Sequence, residues 1–302
     1  MKFEVTILGS NAATFAYDRH MTAQVVDHSN RLFLIDCAEG TQMQMARLKV
    51  KKGKLDAIFI SHLHGDHHFG LAGLLSSMHL MGRTAPLHLY APKGLDEILT
   101  MTFRHSKTIL NYPLHFHAVA TTQFQQIYEN KFIEVYSIPL DHRIECAGFL
   151  FKEKPKPRKI AAEKLPANFP YSLMKDLQWG KDVEVEGNIY KNSDLTYDPK
   201  PSLSYAYCSD TAYNERIIPW IEKANMLYHE ATFLAHETEL AAKTHHSTTK
   251  QAAQIAKQAA VDKLLIGHFS ARYEDLQPCL NEAREVFENS YLATEGNVFK
   301  IS

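Results

Sequence analysis

The sequence predicts an α/β fold in which two mixed β-sheets pack face to face and helices cover their outer faces. Three observations predict it. β-rich runs alternate with amphipathic helical stretches, both halves of the chain show this alternation, and 302 residues with 45% hydrophobic content suffice for a large core.

In the first half, β-rich runs fall at 3–8, 23–27, 31–36, 57–61, 87–91, 132–138 and 148–151. Helical spacing of apolar residues falls at 41–48, 70–81 and 95–102. The second half has strand-like runs at 204–208, 226–229, 263–266 and 298–301, separated by helical 215–223, 248–260 and 278–288. Between the halves, residues 152–201 carry Pro155, Pro157, Pro166, Pro170, Pro199 and Pro201 among many charges. That stretch reads as an insertion or arm and not as a sheet. The expectation is one domain over residues 1–302 with the 152–201 insertion inside it.

No hydrophobic run reaches the roughly 18–20 residues that span a bilayer. The opening residues meet Glu4 and then Gly9 too early for a secretory signal. A soluble, unexported protein with no membrane partner is expected. Cys37, Cys146, Cys208 and Cys279 are scattered and form no C-x-x-C pair, which suggests neither a disulfide framework nor a thiolate zinc knuckle and fits a reducing cytoplasm. A net charge of -1 argues against indiscriminate attraction to polyanions. The anomaly is 17 histidines, because imidazole is the commonest protein ligand for zinc.

Their spacing is informative. The run His62-x-His64-x-Asp66-His67 follows the buried strand-like Ala57–Ile60 and precedes an apolar helix, so the four ionisable groups occupy a strand-to-helix loop. Gly65 is expected to free the backbone there for a turn. Three imidazoles and a carboxylate without a nearby cysteine suit a zinc site with chemistry to perform. His68 reads as a surface residue at the helix start. Further single candidates end other β-runs: Asp141-His142 after 134–139, Asp210 after 204–208 and His268 after 264–266. Cys208 reads as a small core hydrophobe on an alternating strand.

These residues resemble the metallo-β-lactamase superfamily, and within it the tRNase Z (ribonuclease Z) family. The narrower resemblance rests on Asp36-Cys37-Ala38-Glu39-Gly40-Thr41-Gln42, on the extended run from His62 to Leu75, and on His229-Glu230-Ala231-Thr232-Phe233 followed by His246-Ser247-Thr248. It covers the chain nearly end to end. It implies a four-layer αββα sandwich and two zinc ions per subunit, one held by His62, His64 and His142, the other by Asp66, His67 and His268, with Asp210 bridging. Asp36 is implied to orient ligands by hydrogen bonds, and Glu39, Gly40 and Thr41 to lie at the rim.

The activity implied is endonucleolytic removal of the 3′ trailer from precursor tRNA, cleaving after the discriminator nucleotide to leave a 3′-hydroxyl on the tRNA and a 5′-phosphate on the trailer. The catalytic residues expected are Asp66, orienting the attacking water, His246, protonating the departing oxygen, and Glu230, the carboxylate partner of His246. The family pattern also implies a homodimer and an arm that grips tRNA, for which 152–201 is the candidate; Phe169-Pro170 stands where the family has Gly-Pro. Ala38 and Ser209 stand where it more often has Gly. Basic clusters at 49–54 and 152–159 are candidate phosphate contacts. The alternative activity is hydrolysis of small phosphodiesters on the same scaffold.

Overall fold

A computed structural model describes residues 2–302. They form two compact units: one runs to Lys152 and resumes over Leu203–Ser302, and the other is Glu153–Ser202.

The larger unit contains two seven-stranded mixed sheets. Edge to edge, the first runs Val298–Lys300, Phe3–Gly9, Ala23–His28, Arg31–Ile35, Leu55–Phe59, Leu87–Ala91 and Leu114–Ala118. Its first three pairings are antiparallel and the rest parallel. The second runs Ser290–Leu292, Leu264–Gly267, Met226–Glu230, Ser204–Cys208, Ala147–Glu153, Ile133–Pro139 and Gln125–Glu129. The pairings from Ser290–Leu292 to Ser204–Cys208 are parallel, which requires crossover connections and so places helices on the outer face.

Side-chain alternation builds the layers. On Arg31–Ile35, Phe33 and Ile35 enter the core between the sheets while Leu32 and Leu34 pack beneath the outer helices. Phe59 is fully buried at the centre of the inter-sheet core. Its ring stacks on Tyr90 at 4.9 Å and lies 5.4 Å from both Phe149 and Phe151. Such pairs contribute roughly 0.5–1.5 kcal/mol each beyond burial. Helix Leu71–Leu80 buries Leu71, Leu74, Leu75 and Met78, the i, i+3, i+4, i+7 stripe, against the first sheet. Helix Thr249–Gln258 covers the second and starts at a capping box formed by Thr248 and Gln251.

The predicted layers are present, with differences at their margins. Strands Leu114–Ala118 and Gln125–Glu129 are edge strands with half-exposed, polar-rich sequences that lack the hydrophobic run of a central strand. Ser290–Leu292 and helix Thr238–Thr244 were also not anticipated from the sequence. The helix expected at 215–223 is a 3₁₀ turn, Glu215–Ile217, followed by the short helix Ile218–Ile221 with Pro219 in its first turn.

The smaller unit does contain strands. Lys159–Ile160 pairs with Thr196–Tyr197, and Val183–Val185 pairs with Asn188–Tyr190. The second ribbon turns on Glu186 and Gly187, both at positive φ (50° and 80°), the backbone of a two-residue hairpin turn that glycine adopts without strain. A small core of Leu177, Val183 and Leu195 is flanked by Phe169, whose ring meets Tyr190 edge-on at 5.9 Å. Phe169 therefore serves as packing within this unit. Among the described residues, no helix is long and apolar enough to cross a membrane.

Six strands of the larger unit each release a polar residue just beyond their carboxyl ends. Asp36 follows Arg31–Ile35, His62 follows Leu55–Phe59, His142 follows Ile133–Pro139, Asp210 follows Ser204–Cys208, Thr232 follows Met226–Glu230 and His268 follows Leu264–Gly267. Carboxyl ends of strands are where open α/β sheets place their ligands.

Candidate metal centre and active site

The loop after Leu55–Phe59 keeps Ser61 and His62 buried, then turns into a short helix, Gly65–His68, that carries Asp66 and His67. Gly65 opens that helical turn and is not left-handed, so the conformational freedom expected of it is unused; a Cβ there would instead lie 2.3 Å from the Phe69 ring. Left-handed backbone occurs at Asp36 (φ 54°) and His268 (φ 58°), each directly after a buried strand. Strained positions of this kind persist where surrounding structure fixes them, and here they aim two site side chains.

Two groups of ligand atoms result. His62, His64, His142 and Asp210 place theirs within 4.8 Å of one another, and so do Asp66, His67 and His268. Asp210 is shared. Its Oδ1 lies 3.2 Å from Nε2 of both His67 and His268, and its Oδ2 lies 3.5 Å from Nε2 of His62 and 3.7 Å from that of His142. Asp66 Oδ2 lies 3.8 and 3.7 Å from the same His67 and His268 nitrogens.

The hydrogen bonds around these rings decide which nitrogens face inward. The hydroxyl of Thr232 donates to Glu230 Oε2 at 2.7 Å and so accepts from His268 Nδ1 at 2.9 Å. That leaves Nε2 of His268 as a bare lone pair. Nδ1 of His67 is 2.8 Å from Asp36 Oδ2, which likewise directs its Nε2 inward. Both Nε2 atoms are buried without a hydrogen-bond partner. In the other group, His64 Nδ1 lies 2.9 Å from His62 Nε2 and 3.2 Å from His142 Nε2. Lone pairs converging on each other and on carboxylate oxygens at these distances repel unless cations lie between them. The residues therefore fit metal ions, and the N/O donor set suits a borderline divalent cation.

Electrostatics agree. Burial, together with the neighbouring imidazoles, holds His142 down at about 4 and His62 well below its ordinary value despite the attraction of Asp210. These rings are neutral and able to ligate. For His67, burial is outweighed by Asp210, Asp36 and Asp66, which raise its pKa well above normal. The three carboxylates that favour a proton on His67 in the absence of a cation would equally favour a cation at its Nε2 in place of that proton.

Beneath the cage, Asp36 is completely buried. Besides His67, it accepts from the Ser61 amide (2.7 Å), the Ser61 hydroxyl (2.9 Å) and the Tyr207 hydroxyl (2.6 Å). Ser61 in turn lies 3.0 Å from Nδ1 of His62. His142 Nδ1 is fixed by the carbonyl of His245 at 3.0 Å.

His246 stands at the edge of the cage, with its ring stacked on that of His268 at 5.3 Å. Its Nδ1 is 2.7 Å from Oε1 of the fully buried Glu230. Glu230 also accepts from the amides of Thr211 (3.0 Å) and Thr232 (3.1 Å). Burial opposes its charge, but His246, by charge and by hydrogen bond, and then His268 hold its pKa below the ordinary value. Burial pushes the His246 pKa down, but the Glu230 carboxylate outweighs it and raises it to about 9. A nitrogen of His246 also lies within 4.8 Å of ligand atoms of Asp210 and His268. A protonated ring has no lone pair for a metal, so the pairing with Glu230 favours a proton donor over a ligand.

The cage opens into a cavity of about 910 Å³ whose wall includes Glu39, Gly40, Arg143, Asp66, His246 and His268. Two expectations need correction. Thr41 is buried at the start of helix Thr41–Arg47 and does not line the cavity. His68 is buried as well, because Gly65–His68 turns its ring inward against Leu63 instead of into solvent. Cys208 is a fully buried core residue, as expected. Ser61, Thr232, Tyr207 and Arg143 escaped the sequence reading. Thr232 lies inside a motif already singled out, whereas Tyr207 is an ordinary strand aromatic until the fold sets it against Asp36.

The family profile described as Anti-Pycsar protein Apyc1 matches residues 3–154, the half that carries Asp36 through His142. Ribonuclease Z of Cytophaga hutchinsonii is 47% identical over 304 residues, which cover 100% of this chain and 97% of that protein, so the match includes Asp210, His246 and His268 as well. The chain belongs to the ribonuclease Z family. Among solved structures, human tRNase Z, short form, aligns over 99% of each chain with a TM-score of 0.73 at 24% identity. A metallo-β-lactamase fold protein from Bacillus subtilis aligns over 99% of this chain and 98% of its own with a TM-score of 0.70 at 18% identity. This ribonuclease Z family chain thus has the metallo-β-lactamase fold.

Because Asp36 fixes the ring of His67, Asp36→Asn is expected to keep the fold but weaken metal affinity roughly 10- to 100-fold. Competition against a chromogenic chelator measures this, and unchanged affinity would show that Asp36 orients no ligand.

Proposed function

We propose that this ribonuclease Z family chain is a zinc-dependent endoribonuclease that removes the 3′ trailer from precursor tRNA. The observation that carries the reading is the shared carboxylate of Asp210, whose two oxygens face two sets of inward lone pairs beside the His246–Glu230 pair. We assign His62, His64 and His142 to one zinc, Asp66, His67 and His268 to a second, and Asp210 to both. Two bound zinc ions would lower the pKa of a water towards neutrality and neutralise charge growing on the phosphate oxygens.

The chain's own groups supply the rest. Asp66 is anchored through Oδ2 by the Ala13 amide at 2.8 Å and lines the cavity, where its carboxylate orients the attacking water. The attacking water gives up a proton to solvent as its pKa falls; as its oxygen bonds to phosphorus, the bond to the 3′-oxygen of the discriminator nucleotide breaks, and that oxygen takes the proton from His246. The products are a tRNA 3′-hydroxyl and a trailer 5′-phosphate. Glu230 holds the donor proton in place by charge and by the hydrogen bond to Nδ1.

His246→Ala is expected to retain metal and lose about 10²- to 10⁴-fold in turnover. His246 must be protonated to act, so turnover falls as pH rises through its folded pKa, which is about 9 without cations and lower beside them. Glu230→Gln removes the group that raises this pKa and should move the alkaline fall to lower pH. A pH–rate profile with the same alkaline limb in wild type and Glu230→Gln would remove the role of Glu230.

We assign tRNA gripping to the unit Glu153–Ser202. Its exposed Tyr171, Trp179 and Ile189 accompany lysines, and exposed aromatic and basic side chains suit RNA. Deleting residues 155–197 is expected to spare hydrolysis of a small phosphodiester and to raise KM for pre-tRNA. Equal loss on both substrates would refute that division of labour.

We also propose a homodimer, working in the cytoplasm, a compartment that suits four free cysteines. Leu80, Met81, Ile98, Met101 and Ile109 are exposed on and around the neighbouring helices Leu71–Leu80 and Leu95–His105, apolar side chains that a partner chain could cover. Light scattering should find two chains for the wild type and one for Leu80→Arg/Met101→Arg; a monomeric wild type at micromolar concentration excludes the dimer.

A further inference from the structure

Away from the metal centre, a groove of about 320 Å³ gathers Lys2, Lys49, Lys51 and Lys54 above a floor that includes Leu48 and Val25. Lys2 is neutralised by Glu4 at 2.9 Å and Asp27 at 2.8 Å. Among the described residues, Lys49, Lys51 and Lys54 have no ion pair. Their loop leaves helix Thr41–Arg47 through a left-handed Lys49 (φ 57°) and passes through the 3₁₀ turn Lys52–Lys54, which directs three cations to one concavity. Like charges held together repel, so in a chain of net charge -1 this is a local field suited to a polyanion and not a general basic surface.

The groove lies beside the active-site mouth. Gly40 and Met43 line the mouth where helix Thr41–Arg47 begins, and Leu48 lines the groove where it ends. Seven helical residues span about 10 Å. A second thread takes the same course. Glu295 accepts from Gln44 and from the mouth residue His20, and the next residue, Gly296, lines the groove.

We propose that this groove holds the phosphodiester backbone of the substrate RNA a few nucleotides from the scissile bond. The proposal rests on the ribonuclease activity assigned to the metal centre. Lysines are point charges that hold phosphates without reading bases, so the groove adds affinity and register independently of sequence.

The test reads binding, not turnover. Full-length protein is titrated against fluorescently labelled pre-tRNA at salt concentrations from about 50 to 200 mM. Each phosphate contact contributes roughly 0.7 to the slope of log affinity against log salt on single strands, so Lys49→Gln/Lys51→Gln/Lys54→Gln should lower that slope by about 2. Binding at low salt should weaken at least tenfold, while turnover of a small phosphodiester stays at the wild-type rate. A control, Lys223→Gln/Lys257→Gln/Lys263→Gln, removes equal charge on the side of the second sheet and should leave the slope unchanged. An unaltered slope in the first triple variant, or an equal drop in the control, overturns the groove. A wild type that binds steeply but does not cut pre-tRNA overturns the proposed activity and leaves the groove standing.

Discussion

The carboxylate of Asp210 is the constraint on which the site depends. It is buried, and four imidazole nitrogens approach it within 3.7 Å, two on each oxygen. An isolated carboxylate in such a place would cost several kcal/mol of lost hydration. It is held ionised because His268, His67 and His62 outweigh the burial that opposes its charge. Everything nearby serves to bring those rings to it. Parallel strands end at one level, left-handed residues turn Asp36 and His268 inward, and Asp36 and Thr232 fix the tautomers.

Glu230 shows how one buried group can set two different states. Through Oε2 it accepts a hydrogen bond from the Thr232 hydroxyl, which obliges that hydroxyl to accept from Nδ1 of His268 and leaves Nε2 of that ring facing the cage. Through Oε1 it meets His246 directly and favours the charged ring. The Thr232 hydroxyl stands between Glu230 and one ring and not between Glu230 and the other. Two histidines stacked 5.3 Å apart thereby meet the same carboxylate in different ways, which suits the different roles proposed for them.

The chemistry resides on the larger unit, where the backbone is fixed by two sheets and an aromatic core. The residues proposed to handle RNA lie outside the cage: in the smaller unit, with its own three-residue core, and on the larger unit's loop after helix Thr41–Arg47. Such surfaces can change without disturbing the cage.

By itself the sequence determined the layered α/β architecture, because burial imposes a period of two on strands and about 3.6 on helices wherever one face meets a core. It also exposed the ligand candidates, since ionisable residues directly after buried strands have few structural uses. Edge strands such as Leu114–Ala118 were not legible, because half-exposed strands carry weak periodicity. Nor could spacing reveal which oxygen of Asp210 faces which ring, that His68 turns inward, or that Tyr207 reaches Asp36 across 171 residues. Only the tertiary structure decided these, because hydrogen-bond direction and charge depend on distances of about 3 Å between groups that the chain keeps far apart.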